Sequence, residues 1–130
     1  MKRFLILLLS IILLAACASK TEPAVEDLVI SDVSKNIEAT IGSEFKIVLD
    51  SNPSTGYHWE LGDDMDESIV QFVSKSYNDG GLSAPGSGGR DAWIFKAVKE
   101  GETHITLLYY SPSNELENPQ QKATFTVTVK

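Results

Sequence analysis

The sequence has one cysteine and two histidines among its 130 residues, and these scarcities exclude several kinds of site. A single cysteine forms no disulfide within the chain, so a folded domain must be stabilised by its apolar core. A zinc site needs three or four converging ligands, and neither His58 nor His104 has a ligand partner at helical or hairpin spacing. Nucleophilic catalysis needs a nucleophile beside a base, and no such pair stands out. We therefore predict a protein without metal, cofactor or enzymatic activity.

Positive charge is also scarce. The chain has eleven Lys and Arg against eighteen Asp and Glu, a formal net charge of −7. This balance argues against nucleic acid as a partner, because phosphates need a basic face.

The acidic cluster Asp63, Asp64, Asp66 and Glu67 offers oxygen ligands for calcium. It lacks the D-x-D-x-D-G loop with its distant glutamate, so we interpret it as a solvated loop.

The one long apolar run lies at the N-terminus. Lys2 and Arg3 precede residues 4–14, in which Ser10 is the only polar residue. An apolar core of roughly ten residues is too short to span a bilayer as a stable helix, and it is typical of a signal peptide. We therefore predict that residues 1–16 are a signal peptide.

The residues at the end of this run suggest how the chain is anchored. Leu14-Ala15-Ala16-Cys17 resembles the lipobox of bacterial lipoproteins, whose cysteine thiol takes the lipid. An ordinary secretory signal with a chance cysteine is the alternative. Cleavage removes two cations and no acid, so the mature charge becomes −9 and the lipid alone must hold the protein at the membrane. We predict a cell-envelope lipoprotein, in the outer membrane where one exists, because Ala18 is not a retention aspartate.

The mature chain divides into a tether and one domain. Residues 17–27 are polar and are predicted to be a flexible tether, and residues 28–130 form the domain. From Leu28 onward apolar residues alternate with period two, which is typical of half-buried strands. The alternating sets are Ile37/Ala39/Ile41, Phe45/Ile47/Leu49, Tyr57/Trp59/Leu61, residues 69–73, Trp93/Phe95/Ala97, Ile105/Leu107/Tyr109 and Phe125/Val127/Val129.

Turn residues separate these sets, and no segment has a convincing helical period. The breaks lie at residues 41–43, 51–53, 78–89, 100–101 and 111–118. Strands with this spacing predict an all-β fold, an immunoglobulin-like antiparallel β-sandwich of about seven strands. A monomer is the expected state.

Two of these turn segments contain more residues with special backbone properties than an ordinary turn requires. In the first loop, Asn52-Pro53-Ser54-Thr55-Gly56-Tyr57, proline fixes φ, Asn52 is suited to an Asx turn, and Gly56 permits a positive φ. These residues predict a stiff, projecting loop with two hydroxyls at its tip, although a well-made turn is an equal alternative. The second loop, residues 80–89 (GGLSAPGSGG), has five glycines, whose bare backbone lets another chain approach closely.

Taken together, these segments resemble the chagasin family of cysteine-protease inhibitors. NPSTGYHW at residues 52–59 is similar to the family signature N-P-T-T-G-[YF]-x-W, with Ser54 in place of a threonine. Gly86-Ser87-Gly88-Gly89 matches a second motif, G-x-G-G. The third motif, R-P-W, corresponds to Ser111-Pro112-Ser113 (the third loop), where only the proline is kept. The resemblance covers about residues 36–130.

This resemblance implies a reversible, competitive inhibitor of papain-like cysteine proteases, built as an immunoglobulin-like sandwich with three loops at one end. The first loop would sit centrally, with Ser54 and Thr55 over the catalytic cysteine. The second loop would pair with the non-primed side of the cleft through its glycine backbone, and the third would cover the primed side.

The third loop is where the chain departs from the family pattern. Serine at positions 111 and 113 replaces an arginine and an aromatic, and such anchors are worth roughly 2 kcal/mol or more at interfaces. We expect weaker inhibition or fewer targets than in typical members. Trp93 begins an alternating strand and is expected in the core, while Arg90 is either at the edge of the interface or solvated. A non-inhibitory envelope binding or assembly module with the same fold is the alternative function.

Overall fold

The computed structural model describes residues 26–30, 36–81, 88–113 and 118–130. Eight strands lie in these ranges: β1 (Glu26–Ile30), β2 (Ile37–Ala39), β3 (Glu44–Ser51), β4 (His58–Leu61), β5 (Val70–Asn78), β6 (Gly89–Ala97), β7 (Gly101–Tyr110) and β8 (Gln121–Val129). They form two four-stranded sheets, in the orders β1-β3-β6-β5 and β2-β8-β7-β4. The predicted all-β sandwich is confirmed.

Most neighbouring strands are antiparallel, but the two N-terminal strands are not. β1 is parallel to β3 in the first sheet, and β2 is parallel to β8 in the second. Each occupies the outer edge of its sheet. The chain crosses between the sheets from β1 to β2 and again from β2 to β3. No tight hairpin therefore forces these two pairs to be antiparallel. The sequence pattern predicts an antiparallel sandwich, and for these two pairs that prediction is wrong.

The core lies between the sheets and is built by the predicted alternation. Alternate residues of β3, β6, β7 and β8 point inward and are buried, and the threonines of β8 lie on its other face. The largest fully buried side chains are Phe95, Phe125, Ile37, Ile47, Ile105, Leu107, Val70, Val127 and Val129. Trp93 is 4% exposed, so its predicted place in the core is confirmed.

The strands differ from the sequence prediction in three places. Ile41 continues the alternation of β2 in sequence, yet it is 52% exposed, because the chain turns at Gly42 with φ of 85°. β5 extends to Asn78, beyond the apolar residues 69–73 that predicted it. Its polar second half pairs with β6 along its whole length, and a register shift lies between Phe72 and Ser74. β1 begins at Glu26, so strand already includes the last two residues of the predicted tether.

No helix in the described ranges is long and apolar enough to cross a membrane. The predicted signal peptide and Cys17 lie outside the described residues.

Candidate functional site

Three connections between strands meet at one end of the sandwich. The first loop joins β3 to β4 and thereby crosses from one sheet to the other. The second loop belongs to the β5–β6 connection, and the third loop to the β7–β8 connection. The strand pairs closest to this end are Ser51–Gly89, Asn78–Arg90 and His58–Tyr110. Sequence positions that are far apart are therefore brought to one surface, which we call the loop end.

The first loop is held by hydrogen bonds to Asn52. Pro53–Thr55 forms a short 3-10 helix, and the amide of Thr55 donates to the carbonyl oxygen of Asn52 at 3.1 Å. The Thr55 hydroxyl donates to the same oxygen at 2.6 Å, and the Ser54 hydroxyl donates to Asn52 Oδ1 at 2.7 Å. Gly56 ends the helix in the left-handed region, with φ of 84°. The turn with two exposed hydroxyls is confirmed in its geometry. The predicted Asx turn is wrong, because the Asn52 side chain does not cap the short helix and its Oδ1 accepts from the Ser54 hydroxyl.

Aromatic rings support the first loop from below. Tyr57 stacks on Tyr109 with ring centroids 5.5 Å apart, and Trp59 packs on the same ring at 4.8 Å. The Trp59 indole N–H donates to the carbonyl oxygen of Asp50 at 2.9 Å, which ties β4 to the end of β3. Burial raises the pKa of Tyr109, and a hydrogen bond with the Asn52 backbone opposes this. Tyr109 thus supports the first loop through its ring. The sequence pattern predicts Tyr109 only as one of the apolar residues that alternate along a strand.

The third loop packs directly against the first. A Cβ atom on Gly56 would come within 2.7 Å of Pro112 Cβ, so only glycine allows this approach. Ser111 is 5% exposed, and its hydroxyl lies 3.2 Å from that of Ser113. Pro112 and Ser113 are exposed. The side chains that a partner can reach in this loop are therefore Pro112 and Ser113, while Ser111 faces the protein.

The second loop is described only at its ends. Gly86 and Ser87 lie outside the described residues. Gly88 is exposed, and a Cβ placed on it would be 3.5 Å from the Ser51 carbonyl oxygen. Gly89 is packed against Asn78 and the ring of Tyr77, where a Cβ would overlap both. Gly88 thus lies beside the start of the first loop, whereas Gly89 is required by packing.

The remaining candidates have ordinary surroundings. Arg90 Nε lies 3.5 Å from Asp50 Oδ1, and both side chains are largely solvated. His58 is half-buried on the face of β4 opposite Trp59, and its Nδ1 is 3.2 Å from the Gly56 carbonyl oxygen. His104 is exposed on β7.

The acidic cluster follows β4, at the end opposite the loops. Asp63, Asp64, Asp66 and Glu67 are exposed. Asp64 accepts a hydrogen bond from the hydroxyl of Thr106. The side chain and backbone of Ser68 donate to Asp66 and lower the pKa of its carboxyl. Within the described ranges, no three His, Cys, Asp or Glu residues converge as metal ligands.

Comparison with known protein families identifies the family of this chain. The model of the Chagasin family peptidase inhibitor I42 matches residues 38–129. The chain belongs to the chagasin family of peptidase inhibitors. The family predicted from the motifs is confirmed, and with it the prediction of a protease inhibitor. No curated protein matches the sequence.

Solved structures resemble this chagasin-family chain over most of their length. The cysteine protease inhibitor EhICP2 of Entamoeba histolytica is 23% identical, with a TM-score of 0.61 over 73% of this chain and 86% of that one. The ICP of Leishmania mexicana is 27% identical, with a TM-score of 0.51 over 78% and 96%. PbICP-C, solved in complex with falcipain-2, is 17% identical, with a TM-score of 0.57 over 80% and 98%.

Proposed function

We propose that this chagasin-family protein is a reversible, competitive inhibitor that inserts its loop end into the active-site cleft of papain-like cysteine proteases. The observation on which the proposal depends is the packing of Gly56 against Pro112, which joins the first and third loops into one surface. An insertion of standard size buries on the order of 1,600 Å² in total. The protein acts by occupying the cleft and needs no metal, cofactor or catalytic group of its own.

The first loop is suited to lie over a catalytic cysteine without being cleaved. Its 3-10 helix turns the backbone away from the extended conformation in which proteases bind peptides. The hydrogen bonds to Asn52 already fix the loop in the free protein, so little conformational entropy is lost on binding. Ser54 and Thr55 at its tip are the exposed groups closest to the protease in this arrangement.

The flanking loops contribute differently. Gly88 presents bare backbone beside the first loop, and a protease strand can pair with such backbone as with a substrate. Pro112 and Ser113 extend the surface on the other side with small side chains. Because neither an arginine nor an aromatic is present there, we expect this side to contribute less affinity than the first loop.

The experiment that tests this function is a titration of papain and a cathepsin L-type protease with residues 18–130. We expect competitive inhibition that is reversed by dilution, an inhibitor that remains uncut, and no inhibition of a serine protease. Absence of inhibition at micromolar concentration, with the sandwich shown to be folded by circular dichroism, would contradict the proposal. It would favour the alternative, a non-inhibitory binding or assembly module.

We also propose that the protein is a lipoprotein of a bacterial cell envelope, anchored through Cys17 and otherwise monomeric. Support comes from the lipobox-like residues 14–17 and from the absence of any other cysteine. β1 runs parallel to β3. The Cα partner of Glu26 is Phe45, which lies near the start of β3, whereas Ser51 and the first loop lie at its other end. The chain thus enters the domain far from the loop end. An anchored domain attached in this way presents its loops away from the membrane.

A further inference from the structure

We propose that Lys75 is a positioning residue that fixes the first loop relative to Gly88 and Gly89 of the second loop, an inference that rests on the proposed inhibitory function. Lys75 is on β5, the edge strand of the first sheet, and β4 is the edge strand of the second. No ladder joins β4 to β5. A side chain that spans these two edges therefore controls how far apart the sheets lie below the loop end.

One contact of Lys75 reaches the strand that leaves the first loop. Its ammonium group donates to the backbone carbonyl oxygen of Trp59 at 3.0 Å. Trp59 is two residues after Tyr57, the last residue of the first loop, and its ring packs on Tyr109 below that loop. The position of the Trp59 backbone therefore determines where the C-terminal end of the first loop lies.

The other contacts reach the strand that leaves the second loop. The Lys75 ammonium group is 3.4 Å from Asp91 Oδ2 and 4.6 Å from the centroid of the Trp93 ring. Asp91 is two residues after Gly89 on β6, and its side chain is only 5% exposed, whereas that of Lys75 is 33% exposed. A nearly buried carboxylate is strongly disfavoured without its cation, so the ion pair fixes the ammonium group in place.

These contacts stabilise the spacing that the inhibitor needs. Both loops must enter one cleft together. A domain whose loops are already correctly spaced loses less conformational entropy when it binds the protease. The backbone carbonyl is a neutral acceptor on one sheet, and the carboxylate is a charged acceptor on the other. Only a long cationic side chain between the edges satisfies both at once.

A loss of stability alone could also weaken inhibition, and a paired substitution separates the two effects. Lys75→Met keeps the apolar stem and removes the ammonium group, but it leaves the Asp91 carboxylate buried and unpaired. Adding Asp91→Asn removes that charge, and replacing both members of a buried ion pair is far less disruptive than replacing one. The double variant should therefore fold as stably as the parent while lacking the bridge between the edges.

The test compares the parent, Lys75→Met with Asp91→Asn, and Lys75→Arg as inhibitors of papain. Lys96→Met, an exposed lysine on β6, is the matched control. We expect the double variant to dissociate about tenfold faster, which corresponds to about 1.4 kcal/mol. We expect Lys75→Arg to retain most of the affinity and Lys96→Met to match the parent. A folded double variant that inhibits within about twofold of the parent would overturn the inference.

Amide hydrogen exchange tests the same inference without a protease. In the double variant, exchange should accelerate about tenfold in residues 50–60 and 88–95 and stay unchanged in β8. Unchanged exchange in the first two segments would overturn the role of Lys75 on its own. If the parent fails to inhibit papain but the exchange result is as expected, the inhibitory function is wrong and the positioning of the loops by Lys75 stands.

Discussion

Gly56 lies so close to Pro112 that a Cβ on the glycine would be 2.7 Å from the Cβ of the proline. Gly56 is also in the left-handed region, where side chains other than glycine are strained. Two requirements thus meet at one residue, one from the turn and one from the neighbouring loop. The first and third loops form a single surface because this residue has no side chain.

Substitution of Gly56 should affect both stability and inhibition. Gly56→Ala adds strain at positive φ and a clash with Pro112, and we expect a loss of about 1–3 kcal/mol in the free energy of unfolding. Inhibition of papain should weaken about tenfold or more. Gly42→Ala is the matched control, because Gly42 has φ of 85° but nothing within 4 Å of a Cβ. Gly42→Ala should lose stability in urea denaturation but retain full inhibition. A Gly56→Ala variant that inhibits papain as strongly as the parent would contradict the interpretation.

A charge at the tip of the first loop should weaken binding without unfolding the domain. Thr55→Asp removes the hydroxyl that donates to Asn52 and adds a negative charge next to the protease thiolate. We expect the inhibition constant for papain to rise about tenfold or more. Ser43→Asp is the control, because Ser43 makes the equivalent bond, at 2.6 Å to the Thr40 carbonyl oxygen, in a turn away from the loops. Equal inhibition by Thr55→Asp and the parent would rule out a central first loop.

Gly88 and Gly89 of the second loop should behave differently when they are substituted. A Cβ at Gly88 meets only the Ser51 carbonyl oxygen, at an ordinary 3.5 Å, and the residue is exposed, so we expect Gly88→Val to change stability by no more than about 0.5 kcal/mol. Its bulk should still weaken inhibition about tenfold, because a strand from the protease can no longer approach. Gly89→Ala overlaps Asn78 and Tyr77 and should cost about 1–3 kcal/mol of stability. Full inhibition by a folded Gly88→Val variant would remove the second loop from the interface.

Alkaline pH should destabilise the domain through Tyr109. Its pKa is raised above 10.0 in the folded state, chiefly by burial, so the folded chain resists forming the phenolate. The stability that this neutral hydroxyl contributes is complete below pH 10 and is lost as pH rises through the folded pKa. Tyr109→Phe should therefore show a shallower decline of unfolding free energy between pH 9 and 11.5 in urea titrations. An identical decline in the variant and the parent would contradict this assignment.

The anchor should depend on Cys17 alone. Cys17→Ser should move the protein from the membrane fraction to the soluble fraction and abolish metabolic labelling with palmitate. Inhibition of papain should not change, because the chain enters the domain far from the loop end. A membrane-bound Cys17→Ser variant would refute lipid anchoring through this residue.

Much of the fold could be predicted from alternation, since a strand with one buried face must repeat every two residues. The inward residues of β3, β6, β7 and β8 follow that pattern and form the core. The prediction fails where another constraint decides the structure. Ile41 is exposed because a turn interrupts its strand, and the second half of β5 is strand because it pairs with β6 despite its polar side chains.

The candidate site also has features that the sequence predicts and features that depend on strand register. The residues of the first loop and their internal hydrogen bonds are local, so Asn52, Pro53 and Gly56 predict the turn from sequence. Lys75 and Asp91 are sixteen positions apart on polar stretches of two strands, and no short motif joins them. Their pairing follows from the register of β5 with β6. The contacts of Tyr109 on β7 with Tyr57 of the first loop and Trp59 of β4 likewise join residues that are far apart in sequence.

The sequence by itself thus determined the family, the all-β class and the chemistry of the first loop, because periodicity and turn residues act over a few neighbouring positions. Tertiary structure alone decided that Ser111 faces inward, that Pro112 meets Gly56, and that Lys75 joins the edges of two sheets. These relationships depend on strand order and register. Both are set by the packing of the whole core, and no local segment encodes them.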